Sequence, residues 1–108
     1  MKTIKVSEAT TLQLDWLVAK CEGWKVSVDE FRKSQIANSK FAYSTVWAKA
    51  GPIIERERLM LRTYYTGDWE CAASPSCWQC GPTPLVATMR CYVASKLGAT
   101  VEVPEELT

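Results

Sequence analysis

The chain has 108 residues, the length of one compact domain, and its 47% apolar and 23% charged composition excludes disorder. Thirteen Lys and Arg against twelve Asp and Glu leave a net charge of +1, which gives no drive toward nucleic acid or anionic lipid. There is no histidine, which excludes Ser-His and Cys-His nucleophilic pairs and removes the commonest metal ligand.

No apolar run approaches the ~20 residues of a membrane span. The opening residues MKTIKVSEAT lack the apolar core of a signal peptide. The expectation is a cytoplasmic protein without membrane contact. Its five cysteines, Cys21, Cys71, Cys77, Cys80 and Cys91, are then free thiols.

In chain order, residues 1–6 suit a short edge strand. Ser7 or Thr10 caps a helix reaching Glu22, with Gln13 completing a capping box and Gly23 stopping it. Leu12, Trp16 and Ala19 share one face of this helix, and Leu14, Leu17, Val18 and Cys21 cover another. Two apolar sides predict a sheet on one and a second element or a partner subunit on the other, hence a homo-oligomer. Residues 24–28 alternate as a strand, and polar residues 29–40 read as a turn or loop. Residues 41–47, FAYSTVW, read as a strand on their aromatic and β-branched content. Gly51-Pro52 reads as a breaker, and residues 53–58 as a helical turn or the start of a strand. Residues 59–65 and 69–73 are further strands, and residues 74–81 a loop. Thr83 caps the last helix, with Pro84 at its first position, Leu97 near its end and Gly98 as its stop. Leu85, Met89, Tyr92, Val93 and Leu97 form its apolar face; Ala87, Cys91 and Ala94 form a face of small residues. Residues 101–103 add a short strand. The order predicts a single α+β domain, 1–108, with a mainly antiparallel sheet and packed helices.

Three blocks carry a family resemblance: Leu14-Asp15-Trp16 through Gly23, YSTVWAKAGPIIERE at residues 43–57, and GPTPLVATMRCYVASKLGATVEVPEEL at residues 81–107. Together they resemble the NinX family of small tailed-phage and prophage proteins. The resemblance implies an α-β-α sandwich and the host bacterial cytoplasm, and supplies no catalytic mechanism. The chain departs from the family pattern at Val46, where an acidic residue is expected, and at Lys49-Ala50, where a Gly-rich pair is expected. The cysteine-rich loop at 71–80 also lies outside the pattern.

Several residue groups bear on chemistry. Thr83 and the free amides after Pro84 form a helix start that attracts phosphate, or simply a capped helix. If residues 41–47 are a strand, Tyr43, Thr45 and Trp47 point to one side and Ser44 and Val46 to the other. Beside Arg56 they suit a stacked base and a phosphate, or else aromatic packing and a surface ion pair. Asp15 suits a ribose hydroxyl or a solvated strip. Cys71, Cys77 and Cys80 lack the second pair that a zinc site needs, so no metal is expected. Glu55 and Glu57 are a weak carboxylate pair. The expected ligand-binding set is Asp15, Trp16, Tyr43, Ser44, Thr45, Trp47, Arg56, Thr83 and Arg90, with no catalytic residue and no cofactor. The expected function is a non-enzymatic phage accessory protein that counters host defence by sequestering a phosphorylated, nucleotide-derived signal. The alternatives are a protein-interaction module and a small nucleotide-processing enzyme using Asp or Glu.

Overall fold

The computed structural model describes residues 1–37, 40–64, 66–75 and 77–108, without the side chains of 36 and 37. The elements are β1 (Lys2–Lys5), α1 (Thr11–Cys21), α2 (Val28–Ala37), α3 (Trp47–Glu57), β2 (Met60–Thr63), β3 (Trp69–Ser74), β4 (Cys77–Gly81), α4 (Pro84–Leu97) and β5 (Thr100–Val103). Two antiparallel sheets result, a ribbon of β1 and β5 and a three-stranded sheet in the order β2-β3-β4. The α+β class with antiparallel sheets and packed helices is as expected.

The helices with strong caps form where the sequence places them. Thr10 accepts from the Gln13 amide at 3.2 Å while the Gln13 side chain accepts from the Thr10 amide at 3.0 Å, which closes the capping box of α1. Thr83 accepts from Val86 N–H at 3.1 Å and starts α4, with Pro84 first.

α4 is the centre of the molecule. One side packs on β3 and β4, the other on α1, and residues 85–89 and 91–94 are buried. Close approach requires small groups. A Cβ on Gly81 would stand 2.7 Å from the Ala87 amide nitrogen, so β4 meets the first turns of α4 without a side chain between them. Leu97, expected on the apolar face, is instead exposed at the helix end.

Residues 24–47 differ most from expectation. The strand expected at 24–28 does not form, and α2, Val28–Ala37, takes up most of the loop expected at 29–40. Ser27 accepts from Glu30 N–H at 3.2 Å, and Asp29 and Glu30 occupy the positive first turn. Phe31 of α2 is fully buried and stacks on Phe41 at 5.7 Å, while Trp16 meets Phe31 edge-on at 5.5 Å. Residues 41–47 are turns leading into α3, not a strand. The amides of Thr45 and Val46 both turn back to the Ala42 carbonyl. Their aromatics fill this cluster, and tertiary packing overrides β propensity. Both apolar sides of α1 are thereby covered within the chain, by α4 and by the aromatic cluster.

Gly51-Pro52 lies inside α3 and does not break it. Ala50 and Ile53, three apart, are buried, and only the bond from residue 52 to Ala48 is forfeited to proline. The helix ends at Arg58 in the left-handed conformation, φ 52° and ψ 48°. Residues 77–81, expected as loop, form β4, with Trp78 opposite Ala72 and Gln79 opposite Cys71. The strand expected at 59–65 spans Met60–Thr63; Tyr65, like residues 38, 39 and 76, lies outside the described residues. No helix among the described residues is long and apolar enough to cross a membrane.

Candidate functional site

The nine expected ligand residues divide among a surface cleft, the buried core, a charged latch and a second cleft. Ser44, Thr45, Trp47 and Thr83 come together. With Thr11, Pro82, Pro84, Leu85 and Val86 they line a cleft of about 370 Å³. No charged side chain among the described residues lines it. Thr11, Trp47 and Pro84 are the first residues of α1, α3 and α4, so three helix starts meet at one surface. Each start carries part of a positive macrodipole, worth about 0.3–1 kcal/mol toward an anion. The start of α3 has no side-chain cap. Trp47 stands 56% exposed beside it, with Val46 exposed as well.

Asp15, Trp16 and Tyr43 are buried and are not among the residues lining this cleft. Asp15 is only 4% exposed, which corrects the solvated strip expected of it. Its Oδ1 accepts from Ser44 N–H at 2.8 Å and ties the 41–46 turn to α1. Burial pushes the Asp15 carboxyl up from 3.8 to about 6, against the lowering effect of its Ser44 hydrogen bonds. Trp16 is buried against Phe31, with the Lys20 ammonium 4.6 Å from its ring. Tyr43 is buried, and burial raises its phenol above the usual value. The Thr83 hydroxyl already accepts the Val86 amide, so it serves as cap first.

Arg56 is not beside the cleft's aromatics. Its guanidinium donates to both Glu22 oxygens at 3.1 and 2.7 Å, to Glu57 at 2.9 Å and to the Tyr92 hydroxyl at 3.1 Å. Lys96 adds a second contact to Glu57 at 3.0 Å. Four of its five N–H donors are therefore engaged, and the expected phosphate contact is replaced by a latch joining the ends of α1 and α3 to α4. The Arg56 hydrogen bonds hold both Glu22 and Glu57 below the usual carboxylate range. Glu55 and Glu57 are likewise no pair, since α3 is helical there. Arg90 lies in the second cleft, of about 360 Å³, lined also by Ser7, Asp68, Trp78, Gln79, Cys80, Gly81 and Pro82.

The thiols disperse. Cys71 faces α4, in hydrogen-bond contact with Cys91, while Cys80 is exposed and in the alternate register of the sheet. No group of three His, Cys, Asp or Glu side chains among the described residues converges as a metal site.

Sequence reasoning missed Thr11, Pro82 and Pro84 as cleft walls. The signal was present in the caps: a residue that starts a helix marks a helix end, and three such ends meet here.

The fold and cleft define a small α+β protein built around one buried helix, with an uncharged recess at three helix starts. The family model for the bacteriophage P22 NinX protein matches residues 5–96, and the chain belongs to that NinX family of phage proteins. No curated protein matches the chain significantly.

Proposed function

We propose that this protein is a non-enzymatic phage accessory protein that binds and sequesters a phosphorylated, nucleotide-type ligand in the Trp47 cleft. The observation that carries the reading is the exposed indole of Trp47 at a recess where α1, α3 and α4 all begin. An indole face stacks a base for about 1–3 kcal/mol, and helix starts favour a phosphate. Among the described residues, no carboxylate lines the recess to repel one. Sequestration of a host defence signal in the host cytoplasm is the role this chemistry suits. Calorimetry with a panel of linear and cyclic nucleotides tests the reading. Binding by at least one member, weakened about tenfold or more by Trp47→Ala, is expected. No binding by any member rejects the nucleotide reading.

A protein ligand is favoured by one separate observation. Val46, Trp47, Pro82, Pro84, Leu85 and Val86 give this surface an apolar character that also suits a hydrophobic side chain of a host or phage protein. A pull-down from infected cells that recovers a partner with wild type and not with Trp47→Ala supports this second reading.

A further inference from the structure

Arg90 differs from the other arginines that contact the folded chain. Arg56 is paired with Glu22 and Glu57, and Arg62 with Glu70. Arg90 has no carboxylate partner among the described residues. Its Nη1 donates to the Cys80 carbonyl at 2.9 Å and its Nη2 to the Ala9 carbonyl at 3.0 Å. Its buried Nε–H has no acceptor among the described residues. Each terminal nitrogen keeps one N–H undonated. A guanidinium drawn partly out of water without a counter-charge is unfavourable until an anion arrives, and burial lowers its pKa accordingly.

We infer that the Arg90 cleft is an oxyanion site that takes a phosphate group. The Ser7 hydroxyl and the Gln79 amide line the same recess and can add neutral donors. Asp68 lines it too, and among the described residues it is the one carboxylate there that opposes an anion. Pro82 lines both this cleft and the Trp47 cleft, so the two adjoin along residues 81–83. Seating the phosphate of a Trp47-stacked ligand at Arg90 rests on the proposed function, whereas the oxyanion site itself stands without it. Arg90 would then supply the cationic contact that Arg56, held in its latch, does not.

The test is a nuclear magnetic resonance titration of the ¹⁵N-labelled full chain, following the Arg90 Nε–H and Gln79 side-chain amide signals. Inorganic phosphate is added against sodium chloride and sodium acetate at matched ionic strength. Saturable shifts with phosphate and none with chloride are expected. Asp68→Asn should tighten phosphate by about fivefold, an effect that a purely structural role for Arg90 would not produce. Equal, non-saturating shifts with phosphate and chloride overturn the site. Saturation by acetate and not by phosphate overturns the phosphate assignment. Phosphate binding at Arg90 without nucleotide binding at Trp47 would reject the proposed function and leave this site standing; the reverse outcome would reject this site alone.

Discussion

Asp15 shows how a single side chain changes meaning once its surroundings are known. As a buried acid at about 6, it disfavours the fold when ionised. Its folded pKa exceeds its unfolded value, so the stability it contributes is full below about 3.8 and is lost as pH rises through about 6. Relative to Asp15→Asn, wild type is expected to lose about 2–2.5 kcal/mol between pH 4 and pH 7.5, read by urea denaturation across that range. Glu22 and Glu57 act in the opposite direction. Their lowered pKa values make the Arg56 latch stabilising above about 4.5 and weaker as pH falls below it. Arg56→Ala should lower stability by about 1–2 kcal/mol at pH 7 and leave ligand affinity unchanged, because the latch is away from the Trp47 cleft. Neither role was legible in the sequence. Apart from Glu57, which adjoins Arg56, the partners of Asp15 and Arg56 lie 29 to 36 residues away, joined by turns that no local pattern reveals.

At the scale of elements, legibility followed local chemistry. α1 and α4 were readable because their caps, periodicity and glycine stops agree. β3 and β5 form close to the short strands expected at 69–73 and 101–103. The stretch 24–47 was not, because its aromatics carry strand propensity while their packing partners are distant in sequence. One signal there was overlooked: Ser27 followed by Glu30 three residues later marks a helix start. Two substitutions test the close packing and the backbone. Gly81→Ala should cost about 1–3 kcal/mol, since its Cβ would press on the Ala87 backbone. Arg58→Gly should gain about 1 kcal/mol by relieving a left-handed L-residue at the end of α3. Thermal denaturation of the two variants reads both, and their opposite signs distinguish a steric glycine site from a conformational one.

For the whole molecule, the arrangement of layers gathers the functional surface. α4 lies between the three-stranded sheet and α1, so its start meets the start of α1, and the 41–46 turn brings α3 to the same place. The sequence supplied the ingredients of the recess, Trp47, Ser44, Thr45 and Thr83, but assigned Trp47 to a strand and Arg56 to its side. The structure keeps the indole and replaces the cation by helix starts. The most direct test maps the tightest nucleotide from the panel onto the labelled protein by chemical-shift perturbation. Saturable shifts confined to the Trp47 indole, Ser44, Thr45 and residues 82–86, extending across Pro82 to Arg90, are the predicted result. Shifts centred elsewhere, with the Trp47 indole unmoved at saturation, would contradict the account.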